Sequence, residues 1–187
     1  MRITGGHSRG RVLSSLKGFN IRPTSDKIKE AIFNILCQDF TGLKVLDLFA
    51  GTGALGIEAI SRGAVSALFI DKSRQSVNLV KKNLVVCGYE DKADVLQWDL
   101  VKGLNPDYPI ENDNFDLVFI DPPYGKDLIP PTLINLCKKK VLAESSSIVV
   151  ESSRDDELPS AIDNLELFDT RTYGTTRINF YHNRENR

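Results

Sequence analysis

Histidine is nearly absent from this chain: His7 and His182 are the only two among 187 residues. The three cysteines, Cys37, Cys87 and Cys137, are widely spaced. A zinc site needs a close set of imidazole and thiolate ligands, so no metal is expected. The cysteines are odd in number and lie in apolar contexts, as reduced core residues of a cytoplasmic protein do, and no disulfide is expected. Long apolar runs are missing too. Nothing approaches the roughly 20 residues that span a bilayer, and the charged start MRITGGHSRGR has no apolar stretch of the secretory kind. Membrane insertion and export therefore drop out of the expectations, and there is no internal repeat or low-complexity segment.

What is present is ordinary for a globular protein: 41% hydrophobic and 26% charged residues. The length suits one domain over residues 1–187 with a sizeable core. A net charge of −1 hides an asymmetry, because residues 1–30 carry seven Lys/Arg against Asp26 and Glu30, a net of +5, leaving −6 for the rest. A basic arm over residues 1–24 on an acidic body points to a polyanionic partner met by one end of the molecule; a merely solvated arm is the alternative.

Patterning predicts the elements. Arg2–Thr4 and Arg11–Leu13, joined through Gly5-Gly6 and Ser8-Arg9-Gly10, read as a small hairpin. Pro23 keeps Arg22 extended, and Thr24, Ser25 or Asp26 caps a helix with Ile28, Ala31, Ile32, Ile35 and Leu36 on one face. From Leu43 strands and helices alternate. Strands are expected at Lys44–Phe49, Ala67–Ile70, Ala93–Gln97, Phe115–Ile120 and Ile148–Glu151. Helices are expected through Leu55–Ile60, from Ser73 to Gly88, and over Leu128–Val141 with Pro130 and Pro131 in the first turn. Asn105–Asn114 reads as a polar loop, and Leu165–Thr172 with Arg177–Tyr181 as a closing antiparallel pair. Seven strands result, in an α/β, doubly wound and mostly parallel sheet with right-handed crossovers.

Chemistry gathers where strands end. In Asp47-Leu48-Phe49-Ala50-Gly51-Thr52-Gly53, the glycines let backbone approach a ligand. Gly51, Gly53 and Gly56 satisfy G-x-G-x-x-G, and Asp71 follows at the spacing of a ribose-binding acid. Asp47 would repel a pyrophosphate and suits a cationic ligand such as S-adenosylmethionine, although a carboxylate bonded to the turn's own N–H groups fits either ligand. Asp99 is placed to accept from an adenine amine, and Trp98 packs on the ring or in the core. Asp121-Pro122-Pro123-Tyr124 stops an apolar strand with an acid, exposed carbonyls and an aromatic ring. An exocyclic base amine is a poor nucleophile. Acceptors at Asp121 and the Pro122 carbonyl would aim its lone pair, and Tyr124 would stack the base, worth about 1–3 kcal/mol.

Taken together, DLFAGTGALGIEAISRGA, FDLVFIDPPY, MRITGGHSRGR and RPTSDKIKEAIFNIL resemble the RsmD family of bacterial 16S ribosomal RNA guanine-N2 methyltransferases. That family lies within the class I S-adenosylmethionine-dependent enzymes. The resemblance covers nearly the whole chain and implies a Rossmann-like methyltransferase fold. It implies that Asp47, Phe49, Ala50, Gly51, Gly53, Asp71, Lys72, Trp98 and Asp99 serve the cofactor, with S-adenosylhomocysteine as product and no metal. Asp121, Pro122, Pro123 and Tyr124 would hold the guanine, and Arg9, Arg11, Arg22 and Thr24 would meet RNA or shape the mouth of the site. The implied substrate is 16S rRNA within a small-subunit particle, and the implied enzyme a cytoplasmic monomer. Lys72 and Ser73 stand where many relatives carry a second acid, leaving ribose recognition on Asp71. An adenine-N6 methyltransferase of DNA or RNA is the nearest alternative. A NAD-dependent oxidoreductase and a catalytically inert RNA-binding protein are more remote.

Overall fold

The structure is a computed structural model, and it describes residues 1–15, 26–36, 39–104 and 114–184. Eight strands form one sheet: β1 (Lys44–Leu48), β2 (Ser66–Asp71), β3 (Ala93–Gln97), β4 (Phe115–Ile120), β5 (Leu142–Ser153), β6 (Ala161–Ile162), β7 (Leu165–Tyr173) and β8 (Thr176–Asn183). Their order is β3-β2-β1-β4-β5-β8-β7-β6. The first five run parallel, and β8, β7 and β6 complete the sheet antiparallel. The helices are α1 (Asp26–Leu36), α2 (Ala54–Ser61), α3 (Arg74–Cys87) and α4 (Ile129–Lys139).

The expected alternation is present, with three corrections. The sheet has eight strands rather than seven, because Ala161–Ile162 adds a two-residue edge that is too short to show a period. The fifth strand begins at Leu142, not Ile148. Its register slips between Phe115 and Leu117 of β4, and Ser145 takes a φ of 62°, so a bulge breaks the alternation on which sequence reading depends. Consequently α4 stops at Lys139, with Lys140 in the left-handed conformation as its cap. The helix expected over Leu128–Val141 is therefore two residues shorter at its carboxyl end, and Val141 leads directly into β5. At the amino end, the anticipated hairpin is reduced to one bridge, Arg2 to Val12. The polar loop lies outside the described residues except for Asn114, as do the caps Thr24 and Ser25, along with Arg22 and Cys37; Cys87 and Cys137 carry free thiols.

Local chemistry accounts for the helix ends. Ser73 caps α3 by accepting from Ser76 N–H, and Gly88 closes it at a φ of 72°. Pro130 and Pro131 occupy the first turn of α4, where no amide donor is required. Strands β1, β2 and β4 bury both faces, while β3 is a partly exposed edge. Val45, Phe69, Leu117 and Phe119 face α1 to α3, while Leu46, Ile70, Val118 and Ile120 face α4. No helix among the described residues is long and apolar enough to cross a membrane.

One buried charge pair fastens the amino-terminal segment to this frame. On α1, Lys29 shares the buried face with Ile32 and Phe33, a position that hydrophobic spacing alone assigns to an apolar residue. Its Nζ donates to Glu58 of α2, and neither side chain reaches solvent. Glu58 also accepts from Thr4 N–H and Thr4 Oγ1, both at 2.9 Å, from Gly5 N–H at 2.7 Å, and from Arg62 Nε at 2.9 Å. Burial works to raise the Glu58 carboxyl, but the bond and charge of Lys29, with the Thr4 bonds, bring it below its ordinary value. Removing Glu58 strands the buried Lys29 charge, which costs about 3–5 kcal/mol, whereas removing Lys29 leaves Glu58 its Arg62, Thr4 and Gly5 bonds. Glu58→Gln should lower urea-unfolding stability on that scale, and Lys29→Met by less. The double variant should lose less than the sum of the two, and additive losses would contradict this account.

Candidate functional site

The parallel strands end in near-register, and that places the site. Leu48 pairs with both Ile70 and Ile120, and Ile120 pairs with Val150. Asp47, Asp71, Asp121 and Glu151 therefore stand at one edge on four consecutive strands. Ligands of doubly wound sheets bind outside this carboxyl edge. A cavity of about 650 Å³ opens there, within the range of small-molecule sites. Twelve of the thirteen residues expected for cofactor and base line it: Asp47, Phe49, Ala50, Gly51, Asp71, Lys72, Trp98, Asp99, Asp121, Pro122, Pro123 and Tyr124.

Gly53, the thirteenth, stands behind the wall. Its φ of 75° starts α2, and a Cβ there would press on Val80 at 3.1 Å. Gly56 lets α2 sit close to the sheet, since a Cβ would fall 2.4 Å from the Phe69 ring. Its N–H donates to Asp47 Oδ2 at 3.0 Å, so the first turn of the helix faces the carboxylate. The turn between β1 and α2 also stores strain. Phe49, a bulky residue lining the cavity, has a φ of 61°, a conformation such residues adopt where surrounding structure imposes it. The next residue is pinned by Ala50 N–H to the Ile70 carbonyl at 3.1 Å.

Asp71 joins two turns. Its carboxylate accepts from Gly51 N–H at 2.9 Å and Ser73 N–H at 2.8 Å, and each oxygen keeps a further acceptor lone pair for a ligand. Asp99 accepts from Val101 N–H at 3.2 Å. Trp98 packs on the core below the cavity and also lines the cavity, with Nε1 donating to the Gly103 carbonyl at 2.8 Å.

Arg9 and Arg11 do not line the cavity. Both are exposed on the segment that crosses the carboxyl ends of α2 and α3, where His7 N–H meets the Ser61 carbonyl and Arg11 Nη1 donates to the Val86 carbonyl. Those ends lie away from the turns that open the two helices. Glu151, by contrast, lines the cavity and was not singled out by sequence. The signal was available, since Glu151 ends an apolar strand as Asp71 and Asp121 end theirs. Tyr124, 46% exposed, donates from its hydroxyl to Glu151 Oε1 at 2.8 Å and lies 3.3 Å from Thr176 Oγ1. Burial pushes the Tyr124 hydroxyl up to about 12, with Glu151 and Asp121 adding to the rise against the Thr176 bond.

Asp47 is the electrostatically costly member. Burial, reinforced by Asp71 and offset in part by the Gly56 N–H, pushes its carboxyl up from 3.8 to about 8. The folded chain thus holds a proton that the unfolded chain releases above pH 4, so stability contributed by the neutral form is lost as pH rises from about 4 to 8. Asp47→Asn keeps an acceptor for Gly56 without the charge. It should raise the ligand-free unfolding midpoint at pH 8.5 and leave it unchanged at pH 3.5, where both chains are neutral at this position; equal midpoints at both pH values would contradict the assignment.

Comparison with known proteins agrees with this geometry. The model of the family described as conserved hypothetical protein 95 matches residues 1–182. The chain is 37% identical to YlbH of Bacillus subtilis over 184 residues, covering 98% of this chain and 100% of that one. It is 35% identical to the ribosomal RNA small subunit methyltransferase D of Haemophilus influenzae, covering 98% and 94% of the two chains. The solved structure of yhhF from Escherichia coli superposes with a TM-score of 0.86 at 30% identity, covering 99% and 98%. Matched from end to end in sequence and in fold, the chain belongs to the conserved hypothetical protein 95 family, the RsmD methyltransferases.

Proposed function

We propose that this protein transfers the methyl group of S-adenosylmethionine to the exocyclic N2 amine of a guanine in 16S ribosomal RNA. The observation that carries the reading is the single cavity in which the Asp47–Gly51 turn, Asp71 and Asp99 meet Asp121-Pro122-Pro123-Tyr124. The residues fit the cofactor. Asp47 is a buried carboxylate with no cation bonded to it among the described residues, in a chain with a like charge at Asp71. An ammonium or sulfonium relieves that repulsion, whereas a pyrophosphate would add to it. This favours S-adenosylmethionine over NAD.

When bound, S-adenosylmethionine supplies a methyl group activated by its sulfonium. The chain's residues do the rest. Asp71 accepts from ribose hydroxyls with its remaining lone pairs, and Asp99 accepts from the adenine amine. Pro123 and the Pro122 ring make the turn rigid, Asp121 Oδ and the Pro122 carbonyl take the two amine hydrogens, and Tyr124 stacks the base. The nitrogen lone pair then points at the methyl carbon. A C–N bond would form as the C–S bond breaks, the methylated amine would lose its proton to water, and S-adenosylhomocysteine would remain. Holding the reactants in line, with the delocalised lone pair of a poor nucleophile aimed at the methyl carbon, is the largest contribution available here. No metal has a part in this scheme.

The target guanine must leave its stack to reach the cavity. Arg9 and Arg11, exposed beyond the ends of α2 and α3, would hold phosphates flanking the target rather than the target itself, together with Arg22 and Thr24. The protein would act in the cytoplasm as a monomer on a small-subunit particle.

Incubating unmethylated small subunits and free 16S rRNA with labelled S-adenosylmethionine, then digesting the RNA for mass spectrometry, tests this directly. Label is expected in N2-methylguanosine at one position. Label in N6-methyladenosine would favour the adenine alternative, and a folded protein that labels no RNA would overturn the proposal. Asp121→Ala should reduce transfer at least a thousandfold, on the scale of about 4 kcal/mol or more of lost orientation, while calorimetric affinity for S-adenosylmethionine changes by less than about threefold.

A further inference from the structure

The Asp-Pro-Pro-Tyr turn explains why an amine is held, but not which base carries it. Guanine and adenine both have N1 next to the amine-bearing carbon. In guanine that nitrogen carries a hydrogen and donates; in adenine it has a lone pair and accepts. A site that presents an acceptor beside the amine clamp admits the first and repels the second.

Glu151 is placed to be that acceptor. It stands on β5, one residue beyond the Ile120–Val150 pair, so it follows Asp121 across the sheet edge on the neighbouring strand. It is almost fully buried, yet it lines the same cavity as Asp121 and Tyr124. Its orientation is fixed from the far side. Tyr124 gives its hydroxyl hydrogen to Glu151 Oε1, so at Thr176 the tyrosine oxygen is left to accept, which makes a directed chain from Thr176 through Tyr124 to Glu151. A carboxylate offers about four acceptor positions and no donor. The tyrosine bond is made at Oε1.

We propose that Glu151 selects guanine, accepting N1–H of the base while Asp121 and the Pro122 carbonyl hold its amine. This rests on the methyltransferase reading given above and adds the origin of its base specificity. Adenine in the same pose would set the N1 lone pair against the carboxylate, a buried like-polarity contact that sites built on hydrogen bonding reject strongly. The tyrosine ring and the carboxylate thus act as one part: the ring carries the base, and the bond from its hydroxyl fixes the reader of its edge.

Glu151→Gln is the informative variant. With its amide oxygen kept by Tyr124, the amide would turn N–H toward the base, opposing guanine N1–H and matching adenine N1. Small subunits are reconstituted from transcripts carrying either guanine or adenine at the mapped target, and kcat/KM is measured for both. The wild type is expected to methylate guanine alone. Glu151→Gln should lose about 10- to 100-fold on guanine, the scale of one hydrogen bond to a charged group, and should lower the guanine-to-adenine ratio at least tenfold. Tyr124→Phe, which keeps the ring and the carboxylate, should slow transfer without shifting that ratio as far. A wild-type ratio in Glu151→Gln, whether or not the rate falls, would overturn the proposal, because a residue acting only through Tyr124 or on the fold slows both substrates alike. If Glu151→Gln fails to bind S-adenosylmethionine, Glu151→Asp decides. Its acceptors, withdrawn by one methylene, should cost guanine transfer at least tenfold with no adenine product, and an unchanged rate would overturn the proposal. A wild type that methylates neither transcript would instead remove the methyltransferase reading itself.

Discussion

Four carboxylates at one sheet edge are the constraint around which this protein is arranged. In-register termination of the parallel strands brings Asp47, Asp71, Asp121 and Glu151 to adjacent strand ends, where their charges repel. The fold tolerates this by giving them specific partners. Asp47 has the first turn of α2, Asp71 has two loop amides, and Glu151 has the Tyr124 hydroxyl. Even so, Asp47 keeps its proton well above the normal carboxylate range.

That arrangement divides the cavity between two chemistries. On the β1, β2 and β3 side, glycines, a strained Phe49 and acids suit a ligand that carries cationic groups and hydroxyls. On the β4 and β5 side, proline carbonyls, acids and a ring suit a flat base with hydrogens to give. The boundary falls between β1 and β4, where the strand order reverses direction from the first strand, the crevice that open α/β sheets use for binding. On the proposed reading, topology alone would bring a methyl donor and a base face to face before any side chain is chosen. The antiparallel β8 contributes as well, since Thr176 at its start buttresses the ring from outside the parallel half.

Much of this was legible in the sequence, and the misses have physical causes. The glycine turn, Asp71 and the Asp-Pro-Pro-Tyr turn could be placed because each is a short-range pattern at a strand end, and strand ends are announced by apolar runs. Ser73, Gly88 and the two prolines of α4 spoke for their own helix termini. Glu151 went unnoticed because its meaning lies across the sheet, in Asp121 and Tyr124, which stand about thirty residues earlier. The early start of β5 was hidden by a bulge, where the side-chain alternation breaks at Ser145. Lys29 was masked for a different reason. Periodicity assigns faces by apolar residues and passes over a cation that belongs on the inner one. The isolated Glu58 in the otherwise apolar ALGIEAIS was the counterpart clue, since a helix buried all round has no solvent in which to place a charge.

The Lys29–Glu58 pair also limits how this chain can drift. A lineage that replaces the acid first passes through a protein with an uncompensated Lys29 charge in its interior, and Thr4, Gly5 and Arg62 lose an anchor; one that replaces Lys29 first leaves a buried carboxylate with Arg62 as its remaining cation. An apolar pair at positions 29 and 58 is a sound destination, but no single step leads to it cheaply. The amino-terminal segment is therefore bound to the methyltransferase body by inheritance as well as by energy. Two residues that do not line the cavity will change together or stay as they are.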